Sequence, residues 1–168
     1  KNINDISLTT NGFLLPTMAK KLRDNGLHRL TISLDSLDDE VLKSMTGRNI
    51  TAQSILSGIS AAEQAGFTRI KINTVVQRNV NDHSIIDLAK HFKDRGHIVR
   101  FIEYMDVGNR NGWLLEQVIP AQDIVSLIDN EMPLEPIESN YKGEVARRYR
   151  YVDGGGEIGV IASVTEPF

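Results

Sequence analysis

Residues 52–73 read AQSILSGISAAEQAGFTRIKIN, and this stretch contains the pattern that decides the fold. Up to Gly66 its apolar residues recur with the spacing of a helix, and after Gly66 apolar and polar residues alternate. A glycine just past a helix caps it in the left-handed conformation, and alternation with a period of two is typical of a strand. The stretch therefore predicts a helix over residues 52–65 and a strand over residues 70–76.

The same order of helix, glycine and strand occurs twice more in the chain. A helix is predicted over residues 14–25 with a strand after it at 30–34, and another helix over 84–95 with a strand at 99–104. A further strand is predicted over residues 5–10, before the first helix. Strands that alternate with helices through short loops indicate βα units and a parallel sheet.

Each of the first three strands has one polar side and one apolar side. The polar side chains are Ser7, Thr9, Thr31, Ser33, Lys71 and Asn73. A sheet covered by helices on both faces would be apolar on both. We therefore predict an α/β fold in which parallel strands with outer helices form a partial (β/α) barrel around a polar interior. A flat sheet with one face in water is the alternative.

The C-terminal third of the chain departs from this alternation. The elements predicted there are a loop at 105–113, a helix over 120–130, a proline-containing surface connector at 132–140, and a β-hairpin formed by 145–152 and 157–164. We accordingly divide the chain into residues 1–112, which form the barrel part, and residues 113–168, which hold the C-terminal helix and hairpin.

Composition limits the chemistry that this polypeptide can carry. Its 168 residues include no cysteine, so it contains no disulfide, thiolate zinc site, iron–sulfur ligand or thiol nucleophile. The net charge of −3 predicts no nucleic-acid partner, and the short apolar runs predict no membrane span. No signal-peptide pattern follows Lys1, so we expect a cytoplasmic location and interpret the chain as trimmed at its start.

Two cations are the candidates for binding. Lys71 lies in mid-strand on the polar side, where an unpaired ammonium is costly to bury, and Arg100 lies near the start of the next strand. Two cations on neighbouring strands suit a phosphate or carboxylate ligand. Lys71 could instead pair with a carboxylate or form a Schiff base. The four dispersed histidines, at positions 28, 83, 91 and 97, predict no metal site.

Several segments together resemble one enzyme family. They are LTTNG at 8–12, SLD at 33–35, KIN at 71–73, RFIEYMDVGN at 100–109, NGW at 111–113, GEVA at 143–146 and IASV at 161–164. In this order they resemble the GTP 3′,8-cyclases of molybdenum cofactor biosynthesis, which are radical S-adenosylmethionine (SAM) enzymes. The resemblance extends along essentially the whole chain, and the block that begins at Arg100 is its most specific part.

The resemblance implies a fragment from the middle of an incomplete βα barrel. In the family, two 4Fe–4S clusters are held by cysteines that would fall before Lys1 and after Phe168. We therefore expect no catalytic residue and no metal ligand in this chain, and we expect the isolated chain to be inactive.

The resemblance also implies roles for individual residues. Thr9, Lys71 and Arg100 would bind GTP, while Ser33 and Met105 would bind SAM. Met105 has the opposite strand parity to Arg100, so a bulge or the start of a loop is expected between them. In the family, a radical derived from SAM removes hydrogen from C3′ of GTP, and the sugar radical then attacks C8 to give 3′,8-cyclo-7,8-dihydro-GTP.

Two other functions fit the same residues. One is a Schiff-base lyase on a βα barrel that uses Lys71, and the other is a non-catalytic nucleotide-binding domain. The sequence further predicts self-association through an exposed sheet edge, because an unpaired strand offers free backbone groups to another chain.

Overall fold

The computed structural model describes residues 3–105 and 114–166 of the chain. Its helices and strands in chain order are β1 (Ser7–Thr10), α1 (Leu15–Asp24), β2 (Arg29–Ser33), α2 (Asp39–Thr46), α3 (Ala52–Gln64), β3 (Lys71–Val76), α4 (Ile85–Phe92), β4 (Ile98–Glu103), α5 (Ala121–Glu131), β5 (Leu134–Ile137), β6 (Arg147–Tyr151) and β7 (Glu157–Ile161). Short 3-10 helices precede α4 at Asp82–Ser84 and α5 at Leu115–Gln117.

The strands form one mixed sheet in the order β1-β2-β3-β4-β7-β6-β5. Neighbouring strands from β1 to β4 pair in parallel, and so do β4 and β7, whereas β6 pairs antiparallel with both β7 and β5. The predicted α/β class, the parallel strands and the hairpin are therefore confirmed. The sheet of the described residues is open, with β1 and β5 at its edges.

One face of the sheet forms the core with the helices. Alternate residues of the strands, such as Ile32, Ile72 and Phe101, are fully buried there against apolar residues of all five helices. In β3 the residues between them are half-buried, so burial alternates along this strand. The expectation of one apolar face beneath helices and one polar face is confirmed, because the side chains of a strand alternate between its two faces.

The ends of the helices follow local rules. The Thr51 side chain caps α3 by accepting a hydrogen bond from Ser54 N at 3.2 Å. The short helix α2 is capped by Asp38, whose carboxylate accepts hydrogen bonds from two backbone N–H groups of the first turn. Ser36 Oγ accepts from Asp38 N and lies 2.9 Å from Ser84 Oγ in a buried contact. Ser36 thus connects the segment before α2 to the 3-10 helix before α4.

One strand was missed in the sequence. Residues 132–140 were predicted to be a surface connector, but Leu134–Ile137 forms β5 and pairs antiparallel with β6. The strand includes Pro136, which lacks a backbone donor and is therefore confined to sheet edges. β5 lies at such an edge, so a composition typical of a connector is compatible with a strand here.

A buried glutamate joins three segments at the end of β4. Glu103 is 1% exposed, and its carboxylate accepts hydrogen bonds from Ala121 N at 2.7 Å, Val164 N at 2.8 Å and Thr165 N at 2.9 Å. The Thr165 hydroxyl donates a fourth, at 2.5 Å. Glu103 therefore connects the end of β4 to the start of α5 and to the segment after β7.

The predicted loop at 105–113 falls largely outside the described residues. Residues 106–113, which include much of the segments that carry the family resemblance, also lie outside them. None of the helices within 3–105 and 114–166 is both long enough and apolar enough to cross a membrane.

Candidate functional site

The polar face of the sheet brings four of the five predicted binding residues, Thr9, Ser33, Lys71 and Arg100, together in two neighbouring rows. In the first row, Thr9 of β1 is level with Thr31 of β2, which is level with Lys71 of β3. Residues that are level on paired strands point to the same face, and strands are about 4.8 Å apart. Thr9 therefore lies two strands, or roughly 10 Å, from Lys71 on one face.

The second row lies two residues further along the strands. Ser33 of β2 is level with Asn73 of β3, Arg100 of β4 and Gly159 of β7. Two residues along a strand are roughly 7 Å. Ser33, Lys71 and Arg100 consequently face the same space from three adjacent strands.

Lys71 and Arg100 are both half-buried. The Nε of Arg100 donates a hydrogen bond to Asn73 Oδ1 at 2.8 Å. Within the part of the chain that the structure describes, neither cation has a carboxylate partner at ion-pair distance. Two cations that share one half-buried face form a site that favours an anion.

The surroundings of this pair shift the pKa of Lys71 in both directions. Burial lowers the pKa of Lys71 below its usual value, the positive charge of Arg100 lowers it further, and Glu144 opposes both. Burial likewise lowers the pKa of Arg100, and Tyr141 and then Glu144 oppose this shift. Glu144 lies in the connector between β5 and β6, and among the described residues it is the carboxylate whose charge acts on both cations.

Met105 lies apart from the two rows. β4 ends at Glu103, so Met105 follows the strand and the alternation of the strand does not apply to it. Its side chain is 45% exposed beyond the carboxyl end of β4. In βα folds, ligands bind at the carboxyl ends of the parallel strands.

The structure adds groups to this face that were not assigned a role from the sequence. Asn73 holds Arg100, and Gly159 lies beside the Arg100 stem. Asp35 follows β2, accepts a hydrogen bond from Val75 N at 2.9 Å, and has a pKa that burial raises. The shared parity of Asn73 and Lys71 was visible in the sequence, but no local signal pointed to Gly159.

The described residues do not form a metal-binding cluster of side chains. They contain no group of three or more His, Cys, Asp and Glu side chains arranged to hold a metal ion. The chain as a whole has no cysteine, and thiolates are the ordinary ligands of iron–sulfur clusters. The residues present therefore do not fit a 4Fe–4S cluster.

Comparison with known families assigns the chain to a class. Residues 1–92 match the family described as the Radical SAM superfamily, and residues 97–168 match the family described as Molybdenum Cofactor Synthesis C. The first match covers more than half of the chain, so the chain belongs to the radical SAM superfamily.

Individual relatives show which enzymes of this superfamily the chain resembles. The chain is 50% identical over 167 residues to the GTP 3′,8-cyclase of Acidothermus cellulolyticus, covering 99% of this chain and 46% of that protein. It is 47% identical over 168 residues to that of Xanthomonas campestris pv. campestris, covering 100% and 50%. It is 46% identical to that of Staphylococcus carnosus, covering 100% and 49%. The resemblance recognised in the sequence is confirmed, and the chain spans about half the length of these curated relatives.

Proposed function

We propose that this chain supplies part of the GTP-binding surface of a radical SAM enzyme. The enzyme converts GTP to 3′,8-cyclo-7,8-dihydro-GTP, which is the first step of molybdenum cofactor biosynthesis. The observation that carries the proposal is the pair of half-buried cations, Lys71 and Arg100, on neighbouring strands of one polar face. Relatives named GTP 3′,8-cyclase, which align with all or nearly all of the chain, support it.

The proposed role of the pair is to hold the GTP phosphates. Arginine presents a planar fork that matches phosphate oxygens, and lysine adds a compact point charge. Thr9 lies in the same row as Lys71 and contributes a hydroxyl toward the rest of the nucleotide. A triphosphate that is held at both cations fixes the position of the ribose, on which the rate of its chemistry depends.

Ser33 and Met105 are proposed to hold SAM. The half-buried Ser33 hydroxyl and the exposed Met105 beyond β4 are a small donor and an apolar surface, which suit a nucleoside. When bound, SAM would supply the radical chemistry of the reaction. No step is assigned to a 4Fe–4S cluster, since this polypeptide lacks its ligands, and we propose that the chain alone does not cleave SAM.

The proposed phosphate site predicts the effect of removing one charge. Lys71→Gln is expected to weaken GTP binding to the chain about tenfold, because a charge-assisted hydrogen bond is lost. Lys43→Gln changes the same charge in the last turn of α2 and is expected to leave the affinity unchanged. Titration calorimetry of the three proteins measures the difference. Equal affinities of the wild type and Lys71→Gln would remove Lys71 from the phosphate site.

The lowered pKa of Lys71 predicts how binding depends on pH. Burial, followed by the charge of Arg100, lowers this pKa, so Lys71 loses its proton at a lower pH than an ordinary lysine. An anion requires the protonated form, and affinity is expected to fall as the pH rises from about 7 toward about 10. Lys71→Arg should delay the fall, because arginine stays charged in this range. Calorimetry with the same ligand for both proteins tests this, and identical profiles would contradict it.

A second candidate function uses the same lysine. A lysine whose pKa is lowered by burial is also suited to forming a Schiff base with a carbonyl substrate. Borohydride trapping of a carbonyl compound on Lys71 would favour a lyase over the nucleotide site. We expect no trapping, since the proposed role of Lys71 requires its charged form.

Further proposals follow from the sequence and stay predictions. They are closure of the sheet toward a partial barrel, a boundary between residues 1–112 and 113–168, and a cytoplasmic location without nucleic-acid or membrane partners. Self-association is proposed through β1, which is an edge strand. Sedimentation at high protein concentration tests this, and a clean monomer would contradict it.

A further inference from the structure

The side chain of Arg100 is held from two sides. Its Nε donates a hydrogen bond to Asn73 Oδ1 at 2.8 Å, from the residue level with it on β3. On the other side it runs over Gly159, the residue level with it on β7. An arginine carries one Nε and two terminal nitrogens. Among the described residues, the bond to Asn73 occupies Nε, and the two terminal nitrogens are the groups with which Arg100 would meet an anion.

Gly159 provides the room in which the stem of Arg100 lies. A Cβ at position 159 would be 3.2 Å from Arg100 Cγ, 3.7 Å from Arg100 Cδ and 3.4 Å from Ala146 Cβ. Its φ is not in the left-handed region, so the backbone conformation does not require glycine. Glycine weakens the interior of a strand and often marks a close approach of other atoms. Here the close approach is that of the Arg100 stem.

We propose that Asn73 and Gly159 are positioning residues that aim the terminal nitrogens of Arg100 at the phosphate groups of the ligand. The inference rests on the proposed function, in which Arg100 holds phosphate. Asn73 sets the rotation of the guanidinium plane through Nε, and Gly159 lets the stem lie flat against the sheet. A guanidinium aimed in this way meets two phosphate oxygens at once, which needs both its distance and its orientation to be set.

The experiment is a double-mutant cycle with inorganic triphosphate as the probe, measured by calorimetry. Asn73→Ala and Gly159→Ala are each expected to lower the affinity about threefold to tenfold. In an Arg100→Gln background, the same substitutions should have no further effect, because they act through Arg100. Asn49→Ala, at an exposed loop position, is the control and should leave the affinity unchanged. An equal loss in both backgrounds, or no loss in either, would overturn the proposal.

A second measurement keeps the test independent of ligand binding. Exchange of the Arg100 Nε proton with water, followed by NMR, is expected to be slow in the wild type and in Asn73→Asp, and faster in Asn73→Ala. Asn73→Asp keeps the acceptor but adds a negative charge, so it should preserve this protection while lowering triphosphate affinity. Unchanged exchange in Asn73→Ala contradicts the positioning role. Protection without any triphosphate binding would instead contradict the proposed function and leave the contact itself established.

Discussion

Replacing Glu103 by alanine is expected to lower the free energy of unfolding by about 3–5 kcal/mol. The carboxylate is 1% exposed and accepts hydrogen bonds from the backbone N–H groups of Ala121, Val164 and Thr165. Alanine would leave these donors without their acceptor at the junction of β4, α5 and the segment after β7. Denaturant unfolding followed by circular dichroism measures the loss.

A matched control is an exposed glutamate. Glu131 pairs with Lys90 at 3.2 Å, and both side chains are about half exposed. Glu131→Ala is expected to cost less than about 1 kcal/mol, since exposed ion pairs contribute little. If both variants unfolded at the same denaturant concentration, the proposed role of Glu103 in joining three segments would be wrong.

The contribution of Glu103 should also depend on pH. Burial by itself would raise its pKa, but the hydrogen bonds from Thr165, Val164 and Ala121 outweigh burial, so the folded-state pKa is below its usual value of 4.5. A carboxyl group with a lowered folded-state pKa stabilises the fold above its unfolded pKa. The stability difference between wild type and Glu103→Ala should therefore shrink as the pH falls below about 4.5 toward about 2. A constant difference over that range would contradict the hydrogen-bonded carboxylate.

Gly58→Ala is expected to destabilise the chain by about 1–3 kcal/mol, although the same change in an unobstructed helix stabilises by roughly 1 kcal/mol. Gly58 is buried within α3, and a Cβ there would overlap the carbonyl oxygen of Gly12 and lie 3.1 Å from its carbonyl carbon. The obstacle is backbone and cannot rotate away. Gly12 closely follows Thr9, so the substitution should also displace the end of β1.

Ser60→Ala provides the comparison for Gly58→Ala. Ser60 is an exposed residue of the same helix, and its replacement should change stability by less than about 0.5 kcal/mol. Thermal unfolding of the two variants gives the sign of each effect, and amide chemical shifts of residues 9–12 report whether β1 moves. An increase in stability for Gly58→Ala would show that α3 and the Gly12 turn are not in backbone contact.

Much of the site could be predicted because it depends on short-range patterns. Alternation within single strands placed Thr9, Ser33 and Lys71 on polar faces, and the structure brings these faces together. The register in which the strands pair was not predictable, because it depends on how separate segments of the chain pack together. Hence the row of Ser33, Asn73 and Arg100 is visible only in the folded sheet.

The features that were not predicted from the sequence also depend on contacts between separate segments. β5 forms at a sheet edge, and its residues pair with residues 11 to 17 positions further along the chain, so the pairing leaves little trace in local composition. Gly58 has an ordinary helical position, and only the approach of Gly12 explains it. In the sequence, Glu103 is one residue of a recognised motif, whereas in the fold its carboxylate joins segments up to 62 residues away.

The sequence by itself determined the repeated βα unit, the polar and apolar sides of the strands and the resemblance to GTP 3′,8-cyclases. These features are encoded by spacings of a few residues and by motifs that can be read along one dimension. The tertiary structure alone decided the open mixed sheet, the place of Arg100 between Asn73 and Gly159, and the buried junction at Glu103. Each of these depends on contacts between distant segments, and their geometry is defined only when the whole sheet and its helices pack together.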